Sequence, residues 1–531
     1  MITTERPEQK SVAIACALVI VGVLAAVGFR SLSDQLWSDE LLGTSLLQAG
    51  SLSKLWSGIA LGIDGNPPFY LTAAWLITHP LPPFVPPVAV LKLLNLALAA
   101  AGAFTLGLVS LRVASRSACW IGAMLFITLC DALSYAASEL RTYALYFLMA
   151  AVAVLFQQRL IEHRRLRDVA ALSLAYAGLA MAHTYGIAYV GIIALAGWLS
   201  QIRGGKSLPG LIALAVAPAI IAVAAWSPFL LEQLQVAKPY NWMMPPTLSG
   251  LLDTLFGSDS MIAVSILEAV CLLTAGIAAW KHGGFRPRVI LDEPGWQPVR
   301  FGLLVLAGVT AFTLAGWLFS ILVSPVFVAR FFTPQLFTAF ALHVAFAEWL
   351  WRTGRQHRTL LLAICIGIAP LMLRNAVLHA RSSVHGKPIC ADASGKFFET
   401  DFIDGSMPVI VDSAHMFLPR AAYAEHGKVY RFALDWDVVL NHPFRSRANA
   451  VDYHLMQDLQ AWLPMPQIES TDDIISKYPQ FLVIEQPYRA WFFNLATTRT
   501  IVAEKLAEKI TAGEYEISFT LGNVTRDENR P

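Results

Sequence analysis

Three carboxylates follow the first apolar stretch of this chain, and they are the side chains best suited to chemistry. Asp39 and Glu40 come directly after Trp37-Ser38, and Asp64 follows later in the same loop. Carboxylates in a short loop against a bilayer have few structural uses, whereas a membrane enzyme acting on a lipid-borne substrate needs a base at that depth. The pattern therefore predicts a catalytic site in the first outer loop.

The composition is that of a membrane protein. Of 531 residues, 56% are hydrophobic and only 14% are charged, and the mean hydropathy is +0.55. This exceeds what a soluble domain needs to build its core. The first apolar stretch, residues 11–29, can cross a hydrocarbon layer of ~30 Å and lacks the small-residue cleavage pattern of an exported precursor, so we interpret it as a membrane span.

Hydropathy predicts an α-helical polytopic protein with about eleven transmembrane helices. After the first, the spans are expected at roughly residues 86–111, 118–137, 141–157, 168–183, 186–200, 207–229, 260–280, 301–323, 333–351 and 359–379. Residues 168–200 leave two interpretations open, one long helix or two short ones. The glycine and polar residues of His183-Thr184-Tyr185-Gly186 favour a break.

The positive charges predict the orientation. Most Lys and Arg residues before residue 380 fall in alternate loops, beginning with the N-terminal segment, and such loops are cytoplasmic. The N-terminus is then cytoplasmic and everything after residue 380 is periplasmic or extracytoplasmic, as in a multi-pass protein of the cell (inner) membrane. The net charge of +2 thus reflects orientation signals, and nucleic acid is not an expected partner.

The composition changes near residue 380, where long apolar runs stop and short strand-like stretches alternate with helical ones. We predict a transmembrane domain over residues 1–380, with its first outer loop at 30–85, and a soluble C-terminal α/β domain over residues 381–531. Five of the six cysteines fall in predicted spans and Cys390 stands alone outside, so neither a disulfide nor a thiolate metal site is expected there.

The predicted topology collects further polar residues on the same outer side. They are Asn66, Lys92, Glu139, Arg141, Tyr143, His183 and Arg330, in addition to the three carboxylates. Outside an inner membrane a sugar must arrive already activated, typically on a polyprenyl phosphate. Transfer from such a donor needs a carboxylate to take the proton of the acceptor hydroxyl, and Arg or Lys to neutralise the departing phosphate. A glycosidase would instead place two carboxylates on opposite sides of the sugar.

These residues resemble a known family, the GT-C superfamily of polytopic glycosyltransferases. The likeness is to its galacturonosyl- and aminoarabinosyl-transferases and, more distantly, to protein O-mannosyltransferases. It covers residues 10 to about 380. The matching elements are Trp37-Ser38-Asp39-Glu40, Asp64 with Asn66-Pro67-Pro68-Phe69-Tyr70, Ser134-Tyr135 with Glu139, Arg141, Tyr143 and Ala144-Leu145, Ala182-His183 with Tyr185-Gly186, and Arg330-Phe331-Phe332 with Pro334.

The resemblance implies interfacial helices in the first outer loop, an acidic catalytic residue there and inversion at the anomeric carbon. Residues 37–56 and 69–78 have the mixed composition of interfacial helices. One departure concerns Asn66, which stands where many relatives carry His or Lys, so a phosphate-binding cation is missing at that place. A divalent metal, Mg²⁺ or Mn²⁺, is compatible with Asp39 and Glu40 but is not indicated by them.

Each carboxylate also has a structural interpretation. Asp39 and Glu40 would suit the N-terminus of an interfacial helix, whose unpaired amides attract anions. Neighbouring helical positions diverge by about 100°, so both cannot reach one hydroxyl, and we expect Asp39 to be the base and Glu40 to orient a partner or a cation. Asp64 would serve equally well as a helix cap or in binding the acceptor.

The other polar residues also allow both a structural and a functional interpretation. His183 fits a satisfied interfacial histidine or a site residue, and Arg330 fits lipid snorkelling or donor-phosphate binding. Glu139 and Arg141 do not face each other on a helix and would each be anchored by head groups if they had no role in the site. Arg330, Arg141 or, as an outside candidate, Lys92 is expected to hold the phosphate.

Function classes other than a glycosyltransferase also remain open. A lipid or sugar transporter would place charges near the bilayer midplane and show inverted repeats. A lipid-linked polysaccharide ligase or polymerase would share the lipid donor but rely on a large late outer loop. A non-catalytic membrane scaffold with an exported binding domain is the third alternative. The acidic first loop favours the glycosyltransferase, with a membrane lipid, a polyprenyl-phosphate-linked sugar and a glycan, lipid or protein acceptor as partners.

Overall fold

The computed structural model describes residues 7–200, 207–237, 243, 245–281, 296–353, 397, 403, 405–441, 447–485, 491–498, 501–512 and 515–524. They form two compact units. The helical unit comprises Met1–Leu32, Asn66–Ser227 and Met243–Arg381, and the sheet unit comprises Ser33–Gly65, Pro228–Trp242 and Ser382–Pro531. The first outer loop, up to Gly65, therefore belongs to the same compact unit as the C-terminal domain.

The helices of the helical unit follow the predicted spans closely. They are α1 (Pro7–Ser33), α4 (Phe69–Thr78), α5 (Pro87–Ser110), α6 (Arg116–Leu129), α7 (Asp131–Ser138), α8 (Tyr143–His163), α9 (Leu166–Ala182), α10 (Gly186–Leu199), α11 (Ser207–Ala237), α12 (Leu248–Phe256), α13 (Asp259–Lys281), α14 (Gln297–Leu322) and α15 (Leu336–Thr353). The last residues of α11, from Pro228, belong to the sheet unit. The expected span at 359–379 lies outside the described residues.

Six of the described helices are long and apolar enough to cross a membrane, and α6 with α7, bent by 70°, makes a seventh candidate. The chain is thus a multi-pass membrane protein. The break expected within residues 168–200 is confirmed, because α9 ends at Ala182 and α10 begins at Gly186. At 17 and 14 residues these two helices are short for a span of the hydrocarbon layer.

Helix α8 forms the centre of the helical unit, with buried side chains on every side, and it packs against α5, α9 and α10. A helix that is apolar all round is one that other helices surround. Close approach between α6 and α15 requires Gly122, since a Cβ there would lie 2.9 Å from the backbone nitrogen of Val344. Small residues at such crossings are typical of membrane helices.

The predicted cytoplasmic turns contact one another at one end of this bundle. Arg112 pairs with Glu162 at 3.1 Å, and Arg159 with the buried Asp168 at 3.2 Å. The hydroxyl of Ser115 donates to Glu348 near the end of α15. Three of the predicted cytoplasmic turns thus lie at the same end of the bundle, and the side of the membrane that they occupy stays a prediction.

The sheet unit contains the predicted α/β domain. Its strands are β1 (Val409–Val411), β2 (Tyr430–Leu434), β3 (Ile468–Ser470), β4 (Gln480–Glu485), β5 (Ile501–Ala512) and β6 (Tyr515–Val524), in the order β3-β2-β1-β4-β6-β5. The first four are parallel, with Val409 opposite Tyr430 and Leu482, whereas β6 runs antiparallel to β4 and to β5.

Helices cover both faces of the sheet, which explains the continuous apolar runs of its parallel strands. They are α16 (Ala414–Tyr423), α17 (Trp436–Asn441), α18 (Arg447–Trp462), α19 (Thr471–Lys477) and α20 (Trp491–Thr498). The loop helices α2 (Ser38–Leu46) and α3 (Leu52–Ala60) pack on α16 and α18, respectively. One core includes Ile410, Phe481 and Trp491. On α16 and α18, Phe417 and Tyr453 pack edge-on against Phe432.

Candidate active site

The acidic segment of the first outer loop opens helix α2. Trp37 is its N-cap residue in extended backbone, and Asp39 and Glu40 lie in the first turn. The buried Glu40 turns back, and its carboxylate accepts a hydrogen bond of 3.0 Å from the Trp37 amide. Glu40 therefore stabilises the start of the helix, as one of the structural interpretations expected. Asp39 is half-buried, and its role as the base stays a prediction.

Two residues of α16 hold this segment. The hydroxyl of Ser38, which is fully buried, hydrogen-bonds Nδ1 of His415, and the rings of Trp37 and His415 stack at 6.3 Å with 8° between their planes. The Leu36 amide donates to the Tyr423 hydroxyl at 3.0 Å. Partial desolvation and, more weakly, the charge of Glu40 raise the pKa of Tyr423, although the hydrogen bond from Leu36 opposes the shift.

Asp64 and Asn66 stand where the two units divide. Asp64 is 5% exposed and belongs to the sheet unit, while the half-buried Asn66 begins a segment of the helical unit. The N-cap residue of α4 is Pro68, so Asp64 is not the cap of that helix. Binding of the acceptor by Asp64 and Asn66 stays a prediction.

In the helical unit, side-chain hydrogen bonds fix the loop that carries Glu139 and Arg141. Asn95, fully buried on α5, donates from its amide to the carbonyl oxygens of both residues, at 3.4 Å for Arg141. At the end of the loop the Thr142 hydroxyl donates to the Ala182 carbonyl at 2.6 Å. Ser31 donates to the Ser138 carbonyl at 3.1 Å. Helices α1, α5 and α9 thus preorganise this loop.

Arg330 reaches the same place from a distant part of the chain. It lies in a 3₁₀ segment, Ala329–Gln335, whose aromatic residues pack around Tyr185 and Leu251. Its guanidinium donates to the Tyr135 hydroxyl at 3.3 Å and its Cζ lies 5.9 Å from the centre of the Tyr143 ring. The carboxylate of Glu139 also hydrogen-bonds the Tyr135 hydroxyl.

His183 completes the group. It is 1% exposed, stacks on Tyr146 with centroids 4.8 Å apart, and lies 6.1 Å from Tyr143. The charges of Arg141 and Arg330 both act on its ring. Because the Tyr185 amide donates to Nδ1 at 3.1 Å, the ring is neutral with its proton on Nε2.

These contacts define what we call the Arg330 cluster, which consists of Tyr135, Glu139, Arg141, Tyr143, His183 and Arg330. Five of the six were predicted from the sequence. The cluster places two guanidinium groups, a carboxylate, two phenols and a neutral imidazole at one end of a helical bundle. Such a set suits an anion that carries hydroxyl groups nearby.

No family model matches the chain, and no curated protein does. Two crystal structures of ArnT from Cupriavidus metallidurans are similar to it over 95% of this chain and 97% of theirs. The structure bound to undecaprenyl phosphate has a TM-score of 0.53 at 12% identity, and the apo structure has 0.50 at 15%. ArnT is a GT-C glycosyltransferase. This chain has the GT-C fold.

The match confirms the expected GT-C fold class, including its C-terminal domain, since it extends beyond the first 380 residues. The family resemblance in the sequence covers only residues 10 to about 380. Residues as distant as Tyr135 and Arg330 come together because α7 and α8 both pack against the 3₁₀ segment.

Lys92, the outside candidate for a phosphate ligand, occupies a different setting. It is 3% exposed, and its ammonium group donates to the Ser31 carbonyl. This contact ties α5 to α1 and supports the loop that holds Glu139. Phosphate binding by Lys92 stays a prediction, and its hydrogen bond to Ser31 gives it a structural role as well.

The structure singles out three residues for which the sequence predicts no role. Tyr135 belongs to a matching element of the family resemblance but is not among the predicted site residues. Glu268 and His343, each inside an apolar helix, form a fully buried pair with Nδ1 2.7 Å from a carboxylate oxygen. An ionisable residue in the middle of each predicted span was the available signal for that pair.

Within the described ranges, no group of three or more His, Cys, Asp and Glu side chains is placed to hold a metal ion. A carboxylate oxygen of Glu40 already accepts the Trp37 amide. Binding of Mg²⁺ or Mn²⁺ by Asp39 and Glu40 stays a prediction, and the chemistry proposed below uses side chains alone.

Gly186 sets the turn that carries His183. A Cβ at this position would lie 1.9 Å from the carbonyl oxygen of Leu179, so the Gly186→Ala variant must shift backbone. We expect it to lose ~1–3 kcal/mol of stability and to give less monodisperse protein with a lower unfolding temperature. Gly191→Ala is the matched control in the same helix, because nothing lies within 4 Å of its added Cβ. Equal behaviour of the two variants would contradict this account of the turn.

Proposed function

We propose that this chain is a glycosyltransferase that moves a sugar from a polyprenyl-phosphate donor to an acceptor hydroxyl. The observation that carries the proposal is the Arg330 cluster at one end of a bundle with the GT-C fold. An ArnT structure with this fold binds undecaprenyl phosphate. A phosphate monoanion joined to a sugar is the ligand that two guanidiniums flanked by hydrogen-bonding aromatic side chains would accept.

Arg330 and Arg141 would bind the phosphate, with Lys92 as a lesser candidate. As the bond between the anomeric carbon and the phosphate oxygen breaks, negative charge grows on the leaving phosphate. Guanidiniums held in place beforehand stabilise that charge without reorganising. Glu139, Tyr143 and the Nε2–H of His183 would orient the sugar by hydrogen bonds or ring contact.

Asp39 would act as the general base. Its carboxylate takes the proton of the acceptor hydroxyl while the acceptor oxygen forms a bond to the anomeric carbon, and the polyprenyl phosphate leaves with the electron pair. Attack from the face opposite the leaving group inverts the anomeric centre. Glu40 supports Asp39 through the helix start, and Asp64 and Asn66 would bind the acceptor.

The positive-inside pattern supports transfer at the outer face of the inner membrane, with the N-terminus cytoplasmic and the C-terminal domain periplasmic. The donor sugar is a hexose or a pentose, and the acceptor is a glycan, a lipid such as a lipopolysaccharide component, or a protein. The donor sugar determines what the Arg330 cluster must recognise, and the acceptor determines what Asp64 and Asn66 must recognise.

Intact-mass profiling of envelope lipids and glycans tests the proposal in cells with and without the chain. We expect one acceptor to lose the mass of a single sugar when the chain is absent. A change in polymer length or in attachment of whole polymers would point to a ligase or polymerase. An unchanged set of masses with altered distribution across the membrane would contradict the proposal and favour a transporter.

A further inference from the structure

The C-terminal sheet has a conventional place for a ligand, and the first outer loop occupies it. Strand β1 lies between β2 and β4; the chain runs from β1 through β2 to β3 on one side, and then crosses from β3 to β4 on the other side, so the strand order reverses at β1. Open α/β sheets bind ligands beyond the carboxyl ends of the strands at such a point. Helix α16 begins there, directly after Asp412-Ser413, and its second residue is His415.

The contacts at this point go to the acidic segment. Ser38, next to Asp39, bonds His415, Trp37 stacks on the same imidazole, and Leu36 bonds Tyr423 at the far end of α16. One histidine ring thus holds both residues that precede the proposed base. A hydrogen bond and a stacked ring together fix both the direction and the tilt of the helix start.

A second attachment holds the next helix of the loop. The indole nitrogen of Trp462, at the end of α18, donates to the Lys54 carbonyl at 2.9 Å, and the Lys54 ammonium lies 5.1 Å from the centre of the same ring. A Cβ on Gly58 would lie 2.8 Å from that indole nitrogen, so α3 sits close against it. Helices α2 and α3 are therefore both attached to helices of the C-terminal domain.

The geometry points to a positioning function for the C-terminal domain: His415, with Tyr423 and Trp462 in support, holds the acidic loop so that Asp39 is presented in one orientation. This inference rests on the proposed function, because it assumes that Asp39 is the base. His415 is a positioning residue and takes no proton from the acceptor. The edge at which open α/β sheets commonly bind ligands thus holds the protein's own proposed catalytic segment.

Substitutions at His415 separate its two contacts. Asn retains a hydrogen-bonding atom close to the Nδ1 position but has no ring to stack, whereas Phe keeps a ring but cannot bond Ser38. Ala removes both. The matched control is His426→Ala, an exposed histidine of the same domain. The assay uses purified full-length protein, with lipid extract from cells that lack the chain as the source of donor and acceptor.

We expect His415→Ala to lower the maximal rate by ~10–100-fold, the loss that misplacement of a reacting group by about 1 Å produces. The half-saturating extract concentration and the stabilisation by undecaprenyl phosphate should stay within about twofold, because a merely misoriented base leaves donor binding intact. His415→Asn should recover most of the rate and His415→Phe less. Tyr423→Phe and Trp462→Phe should each lower the rate in the same manner.

The outcomes distinguish this inference from the function on which it rests. If Asp39→Asn keeps full activity, the proposed function fails and there is no base to position. If Asp39→Asn is inactive while His415→Ala and His415→Phe, both folded, turn over at the wild-type rate, the positioning inference alone is wrong. A His415→Ala variant that loses rate and undecaprenyl phosphate binding together also overturns it, since that is general loss of structure.

Discussion

Asp39→Asn should stop sugar transfer and leave the protein folded. A carboxamide matches the carboxylate in shape but cannot take the proton of the acceptor hydroxyl, and loss of a general base costs about 10²–10⁴-fold in rate. Asp39 lies in the first turn of α2, and the Glu40 carboxylate that closes this helix start is untouched by the substitution. Initial rates of sugar transfer, measured alongside the unfolding temperature, report the two effects separately.

Asp34→Asn is the matched control, since it removes a carboxylate a few residues earlier in the same loop. Glu40→Gln makes a second comparison. Its side chain serves the helix start, so we expect a loss of stability of ~1 kcal/mol and a smaller loss of rate than at Asp39. Full activity of Asp39→Asn, or a larger rate loss at Glu40 than at Asp39, contradicts the assignment of the base.

Arg330→Ala should remove most of the affinity for the lipid phosphate and, with it, most of the activity. The guanidinium both contacts Tyr135 and lies over the ring of Tyr143, and a preorganised donor at a developing charge is worth about 10²–10³-fold in rate. Arg330→Lys should restore little, because an ammonium group lacks the planar fork that makes both contacts. The measurement is the rise in unfolding temperature on adding undecaprenyl phosphate, which disappears when binding is lost.

Arg112→Ala controls for the loss of a positive charge. Arg112 pairs with Glu162 at the opposite end of the helical bundle and should leave both the lipid-induced stabilisation and the rate unchanged. Arg141→Ala should behave like Arg330→Ala, with a smaller effect if one guanidinium still engages the phosphate. If undecaprenyl phosphate stabilises the Arg330→Ala variant as much as it stabilises the wild-type protein, the Arg330 cluster is not the donor site.

Much of the fold was accessible from the sequence because membrane helices depend on local composition. Apolar length alone located α1, α5 and α8, and the polar Gly-containing turn at His183 correctly indicated two helices where one was possible. The change of composition near residue 380 indicated the α/β domain. Its parallel strands, such as Val409–Val411, are buried on both faces, so they are recognisable in the sequence as short apolar runs.

The residues of the candidate site could be predicted from the sequence, but the contacts between them could not. Glu139, Arg141, Tyr143, His183 and Arg330 were chosen one at a time, and the contacts that join them depend on tertiary packing. The Tyr135–Arg330 bond spans 195 residues. Lys92 is similarly unpredictable. Its position near the end of a span does not indicate that it is buried and donates a hydrogen bond to the Ser31 carbonyl.

The contacts of the acidic loop were beyond any local pattern. Ser38 and His415 lie 377 residues apart, and a single histidine in a soluble stretch carries no distinguishing signal. The capping role of Glu40 was foreseeable, because an acidic residue three positions after an N-cap is a known helix start. Helix dipole arguments apply equally to Asp39, and the structure adds the contact by which Glu40 caps the helix start.

The central claim is that a polyprenyl phosphate leaves as the sugar is transferred. Mass spectrometry of a single reaction, run with purified protein and lipid extract from cells that lack the chain, measures both products over time. The account predicts that free polyprenyl phosphate and sugar-bearing acceptor appear together in equal amounts, and that neither appears with Asp39→Asn. Glycosylated acceptor that forms without release of polyprenyl phosphate contradicts it.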